Sequence, residues 1–275
     1  MPYWKDTWPF PNSIEYEYKF AGKYGAKGET RLPKRKATPE QIQKQNQFNR
    51  EKNMRRLIKA NYAPDDLWNT LKYPKGTRKP LGEIKKDLKY FHAEMRKEYK
   101  KHGEMYKFII RFEIGKYGGI HIHILINRSQ SIPHTDLLIK RIWKFGYVNY
   151  QSLYEYGGYQ KLANYIVKKP NKEQEKQLSL FEEEDRKELI KYSSSRNLIR
   201  PEPERKTYRR WTPQKLIENG PKPTPGYYID KDSIRYGVNE YTGMSYYQYT
   251  ECRIDEIKSR SSPEWLAWNW KTKSS

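Results

Sequence analysis

Residues 118–126 read Gly-Gly-Ile-His-Ile-His-Ile-Leu-Ile, and that run admits few folds. In a β-strand successive side chains leave on opposite faces, so His121 and His123 share one side while Ile120, Ile122, Ile124 and Ile126 take the other. The isoleucine face has to be buried, which makes the segment an inner strand of a sheet rather than a surface loop. On the other face the imidazoles either converge on one metal ion or cap a half-buried strand, and the neighbouring sequence decides between these.

Just upstream, Lys107–Ile114 reads as a second strand, and Gly115-Lys116-Tyr117-Gly118-Gly119 supplies the turn that makes the two a hairpin. A register with Glu113 opposite His121 or His123 puts its carboxylate on the imidazole face; a one-residue slip leaves it a surface carboxylate pairing Arg111 or Lys116. Two ring nitrogens and one carboxylate oxygen with open positions suit Mn²⁺ or Mg²⁺ directed at a phosphate. Zn²⁺ is the remaining option, with no thiolate cluster to favour it.

Tyr159–Lys169 reads as a helix ending before Pro170, with Leu162 and Ile166 on its buried side. Lys161, Lys168 and Lys169 stand four before, three after and four after Tyr165, so cations flank its phenol. A free phenol ionises near pH 10, and nearby cations are what would let it attack a phosphate at neutral pH. The chain has 25 tyrosines, and the Tyr-x-x-Lys setting after the histidines is what singles this one out. Tyr159 lies six residues earlier, roughly 120° around a helix, and is expected to pack or stack.

This order of strand, basic helix, Glu-bearing strand, His-hydrophobic-His strand, helix, strand and Tyr-x-x-Lys helix resembles the HUH endonucleases. Within them it is most similar to the replication-associated proteins related to the filamentous-phage gene II initiator and to plasmid rolling-circle initiators. Leu67-Trp68-Asn69-Thr70-Leu71-Lys72-Tyr73 resembles the first motif of that family, with Asn69 and Lys72 replacing typical residues. The likeness covers residues 65–170, and more weakly Ser193–Leu198. It implies a metal-dependent single-strand DNA nickase that forms a 5′-phosphotyrosine: Tyr165 the nucleophile assisted by Lys168, His121, His123 and Glu113 the metal ligands, and Lys161, Lys169 and Arg196 toward DNA. A small HUH single-strand transposase, or a single-strand-binding protein without catalysis, are the alternatives.

Composition agrees. Lysine and arginine total 55 against 33 acids, a net charge of +22 and a pI near 9.7, and 15% of residues are aromatic, the pattern of a nucleic-acid binder with stacking platforms. At 275 residues there is core enough for one catalytic domain with insertions but no room for an appended helicase, so the expected partners are origin single-stranded DNA and a host helicase and polymerase. The single cysteine, Cys252, forbids an internal disulfide. With no apolar run of signal-peptide or membrane-span length, a cytoplasmic protein without membrane partners is expected.

The expected fold class is α+β: a mainly antiparallel sheet with flanking helices, a basic N-terminal helical insertion and an aromatic-rich C-terminal part. Residues 1–64 hold a hairpin and a helix opened by Thr38-Pro39-Glu40-Gln41, and residues 65–170 the nuclease core with helices over Leu81–Lys101 and Pro133–Lys144 and a strand over Tyr147–Leu153. His92 and His102 are expected at the surface or a helix end. Residues 171–192 read as a charged linker in which Gln177-Leu178-Ser179-Leu180-Phe181 is similar to the motif by which bacterial replication proteins dock on the sliding clamp; the alternative is that its apolar residues pack on the nuclease. Residues 193–275, rich in tyrosine and ending near Trp265, Trp268 and Trp270, form either a second DNA-contacting lobe or an aromatic cap, the tryptophans suggesting a docking helix.

Overall fold

The computed structural model describes residues 2–22, 36–115, 118–153 and 158–254. Ser259–Ser262 and the tryptophans at 265, 268 and 270 lie outside them, as do Lys116 and Tyr117 of the expected turn. The fold is α+β with two antiparallel five-stranded sheets. In chain order the first elements are β1 (Tyr3–Pro9), β2 (Ser13–Phe20), α1 (Pro39–Asn61), β3 (Leu67–Lys72), α2 (Leu81–Lys101), β4 (Phe108–Ile114) and β5 (Ile120–Ile126). Then come α3 (Thr135–Ile142), β6 (Tyr147–Ser152), α4 (Gln160–Val167), α5 (Lys172–Leu178), α6 (Glu183–Ile190) and β7 (Tyr192–Ser194). The last are β8 (Glu204–Tyr208), α7 (Gln214–Asn219), β9 (Tyr227–Asn239) and β10 (Met244–Arg253).

The described residues form two compact units, one from those up to Asn49 together with Arg200 to Ile254, the other from Arg50–Ile199. By this division the described residues of the two outer segments share one unit, and the stretch 171–192 belongs to the unit of Arg50–Ile199. Pairing of β2 with β10 and of β1 with β8 draws the ends together in the sheet β8-β1-β2-β10-β9. Tyr16, Tyr18, Tyr247 and Tyr249 line one face of that sheet beneath Trp211, Leu216 and Ile217, so these four rings are core rather than free platform, while Tyr228 and Tyr236 are exposed.

The other unit has the strand order β6-β3-β5-β4-β7. Alternation along β5 and β4 puts Ile110, Ile114, Ile120, Ile122, Ile124 and Ile126 on one face, where they meet Ile84, Leu88, Phe91 and Met95 of α2 and Leu138, Ile139 and Ile142 of α3. The second face is covered only in part, by Met54, Leu57 and Ile58 of α1 and Ala163, Ile166 and Val167 of α4 packing on Ile109 and Leu125. α1 begins in a capping box, with Thr38 N donating to Gln41 Oε1 (2.9 Å) and Gln41 N to Thr38 Oγ1 (3.3 Å). Its last turns are buried, Arg56 and Lys59 included, so these two do not belong to the solvated basic face that the composition of the helix suggests. His92 is likewise buried rather than superficial: it stacks on Phe108 with ring centroids 4.0 Å apart and pairs Nδ1 with the Tyr106 hydroxyl at 3.1 Å. Burial, then the Arg96 charge, push its pKa down to about 3.

Candidate active site

The uncovered end of the second face carries the candidate residues. β4 pairs β5 with Glu113 opposite His121 and Arg111 opposite His123, and β3 pairs β5 with Thr70 opposite His123. Directly opposed residues share a face, so Glu113, His121, His123, Arg111 and Thr70 project together. The favourable register is the one formed.

α4 brings the phenol to them. Tyr165 donates its hydroxyl hydrogen to Glu113 Oε2 at 2.5 Å, and its oxygen lies 2.9 Å from His123 Nε2, itself 2.9 Å from Glu113 Oε2. Lys168, the C-cap of α4, places Nζ 4.7 Å from the Tyr165 ring centre and 3.5 Å from Glu113 Oε1. Lys161 is exposed on the same helix, and Arg196 is exposed beyond β7. Tyr159 begins α4 with φ 45°, a left-handed setting that costs a non-glycine residue on the order of 1 kcal/mol, and its ring is buried. It packs, as its spacing from Tyr165 predicts.

The electrostatics follow from this triangle. The hydrogen bond from His123, followed by that from Tyr165 and the charges of His123 and Lys168, holds Glu113 down to about 2 against the effect of burial. Burial, then the hydrogen bond to the Glu113 carboxylate and its charge, push the Tyr165 phenol above its ordinary value, with Arg111 opposing. Burial, then the charges of Lys72 and His123, lower His121 while Glu113 opposes. At rest the proton between Tyr165 and Glu113 stays on the phenol.

Four further residues support the site, two of them, Trp68 and Thr70, inside the Leu67–Tyr73 motif but with roles that no motif assigns. Thr70 Oγ1 lies 3.1 Å from His123 Nδ1, and Trp68 stacks on the same imidazole at 5.6 Å between centroids and 15° between planes, so the ring is fixed from two sides. Arg111 does not pair Glu113. Its buried guanidinium donates to three carbonyls, those of Ile166 (2.7 Å), Lys168 (2.8 Å) and Ile190 (3.2 Å), and so pins the end of α4 and the end of α6 to β4. Gln174 reaches Glu113 Oε1 with Nε2 at 3.5 Å while its own Oε1 accepts from Asn171 N at 3.2 Å in the capping box that starts α5. The Asn-x-x-Gln spacing was the one signal in the sequence for that helix start.

Residues 171–192 are therefore not a solvated tether. α5 and α6 lie along β4, Leu178 and Leu189 are buried in the main core, and Phe181 packs against it. Leu180 alone of the three apolar residues in the clamp-like motif is fully presented, at 85% exposure. For Leu178 and Phe181 the alternative reading, packing on the sheet, describes the structure: a capped helix lays Leu178 there. The Ser193–Leu198 phrase is structural too, since β7 pairs with β4, Ser195 Oγ accepts from Phe108 N at 3.1 Å and Leu198 is buried in the core beneath α4.

The donors His121, His123 and Glu113 match a hard or borderline divalent ion in kind and share a face. Among the described residues no three His, Cys, Asp or Glu side chains close on one point: the phenol occupies the Glu113–His123 pair, and the His121 ring lies over Gly115, where a Cβ would come within 3.1 Å of Cε1. Any ion there needs the phenol and the His121 ring to shift.

The family model described as replication-associated protein ORF2/G2P matches residues 66–174. That span runs from just before β3 to Gln174 and holds the whole triangle with its supports, and it supports a replication-associated protein. No curated protein and no solved structure matches the chain. No described helix is long and apolar enough to cross a membrane.

Proposed function

We propose that the protein is a rolling-circle replication initiator that nicks and rejoins single-stranded origin DNA through a 5′-phosphotyrosine. The observation that carries this reading is the meeting of Tyr165 with Glu113 and His123, at 2.5 and 2.9 Å, inside the span similar to replication-associated proteins. His121, His123 and Glu113 would hold Mn²⁺ or Mg²⁺, which when bound polarises a scissile phosphate.

The chain's own groups supply the rest. Once moved off the Glu113 carboxylate, the Tyr165 hydroxyl gives its proton to solvent, and its oxygen forms the bond to phosphorus as the bond from phosphorus to the 3′ oxygen breaks. The departing oxygen takes up a proton and becomes a free 3′-hydroxyl that can prime synthesis. Lys168 offsets the negative charge gathering on the phosphate, and Arg111 keeps the end of α4 in place during the step. The phosphotyrosine conserves the phosphodiester linkage, so attack by a 3′-hydroxyl reverses the reaction and rejoins a strand.

The test is to incubate the protein with Mn²⁺ and a pool of single-stranded DNA, digest with protease, and sequence the DNA ends that retain peptide. The expected product is a Tyr165 peptide on a 5′ phosphate. Adducts on 3′ ends, on another residue, or none at all, overturn the reading.

A further inference from the structure

Strand β6 closes one edge of the sheet, and its orientation is fixed from behind: Val148 packs on the main core and the Tyr150 hydroxyl donates to Asp136 O at 2.9 Å. Its alternate residues Tyr147, Asn149 and Gln151 therefore turn to the face that bears Glu113 and the histidines. The ladder confirms it, since Asn149 is opposite Thr70, which is opposite His123. Tyr147 stands opposite Lys72 and Gln151 opposite Trp68. All three β6 side chains are exposed, Tyr147 at 66%.

We propose that β6 and Lys72 form the subsite for a nucleotide flanking the cleaved phosphate, with the Tyr147 ring as its stacking platform. This rests on the reading of the site as a single-strand nickase.

The argument is one of chemistry and distance. An aromatic ring in the open can stack on any unpaired base, a lysine beside it can take the adjoining phosphate, and two amides in the same row can meet base edges. Duplex DNA offers no free base face to such a ring. A protein strand added at the sheet edge would use backbone groups, and would leave this row of side chains without a purpose. Two strand spacings separate β6 from β5, about 10 Å. Even a fully stacked strand advancing about 3.4 Å per residue places the base over Tyr147 within about three nucleotides of the phosphate at His121.

The experiment uses full-length protein carrying Tyr165→Phe, so that binding is read without cleavage, and an oligonucleotide spanning the nick mapped with the unsubstituted protein. Binding is followed by fluorescence anisotropy, with an abasic residue placed in turn at each position around the nick. Adding Tyr147→Ala is expected to weaken binding roughly five- to hundredfold, the range for one stacked base, while Tyr147→Phe retains affinity. At one position within three nucleotides of the nick, the abasic lesion and Tyr147→Ala should not add, because each removes the same contact; elsewhere they add. Tyr236→Ala, at an exposed tyrosine of the other unit, serves as the control and should show no such position. Affinity within twofold of the parent in Tyr147→Ala, or additivity at every position, overturns the subsite while leaving the nickase reading intact. Dimerisation lost in Tyr147→Ala with DNA binding unchanged also overturns it, by assigning the edge to a second copy. A parent protein that neither binds single strands nor forms the adduct sinks the nickase reading and the subsite together.

Discussion

The hydroxyl of Tyr165 donates to Oε2 of Glu113 over 2.5 Å, and the same carboxylate oxygen lies 2.9 Å from His123 Nε2. Two of the groups proposed to hold a metal thus hold the proposed nucleophile in this structure. If the site takes the proposed ion, phenol and ion compete for one pair of donors.

Tyr165→Phe removes that competitor with little change of shape. Covalent attachment to DNA is expected to vanish while single-strand affinity stays near that of the parent. Mn²⁺ affinity, read from the electron paramagnetic resonance signal of free ion, should rise roughly two- to tenfold, the worth of one hydrogen bond. Weaker Mn²⁺ binding in this variant would show that the phenol helps to hold the ion.

Alanine at Glu113, His121 or His123 should each slow nicking by roughly two orders of magnitude or more, the scale on which loss of a principal electrostatic stabiliser is felt. Single-turnover rates across a Mn²⁺ titration measure this. Unchanged rates for His121→Ala would remove that residue from the site and leave Glu113 and His123 as the pair.

Arg111 makes a prediction of its own. Arg111→Met leaves the carbonyls of Ile166, Lys168 and Ile190 without their donor, at a cost on the order of 3 kcal/mol in urea denaturation. In the folded fraction the nicking rate should fall at least tenfold, because α4 carries the proposed nucleophile. A folded variant with full rate would show that α4 needs no such pin.

Acid stability follows from Glu113. Its pKa in the folded protein is about 2, below the value of about 4.3 for an unfolded glutamate, so the ionised form stabilises the fold fully above pH 4.3. That contribution is lost as pH falls through this window toward 2. In metal-free buffer, melting temperatures of Glu113→Gln and of the parent should converge as pH falls through that range and differ by a steady amount above it. A constant difference from pH 2 to 6 would disprove the linkage.

Leu178 and Leu180 separate packing from docking. Leu178→Ala should cost about 3 kcal/mol, as a large core side chain is removed, whereas Leu180→Ala should stay within about 0.5 kcal/mol. Denaturant midpoints give both. Capture of the folded chain by purified sliding clamp, abolished when Leu180 and Phe181 are both changed to alanine, would restore clamp docking as a role for this segment.

The site was legible where its determinants are local. The Ile-x-Ile alternation forces His121 and His123 to one face, the glycine-rich turn allows the register that brings Glu113 there, and Tyr-x-x-Lys marks the helix. Thr70, Arg111 and Gln174 were not legible as supports, because their roles depend on where a backbone carbonyl or a ring nitrogen arrives after folding. Residues 171–192 misled for a related reason: α5 and α6 are mostly charged, and each is held by one buried leucine, too weak a periodic signal to read. His92 was lost because a single histidine within an amphipathic helix carries no sign that Phe108 and Tyr106 will cover it.

The sheet built from both chain ends has a consequence for biosynthesis. Ile14 of β2 pairs with Glu251 of β10, and all of Arg50–Ile199 is made between them. At roughly 5–20 residues per second, β1 and β2 leave the ribosome about 10–50 s before β10 exists to cover them. A lone hairpin is marginal in water, and this one has Tyr16 and Tyr18 on an open face and an unpaired edge along β2. All strands of the sheet within Arg50–Ile199 have been made by then and can pair with one another. The hairpin still lacks β10, so it is the part of the nascent chain that most needs a chaperone, and the place where slowed translation would first lead to aggregation.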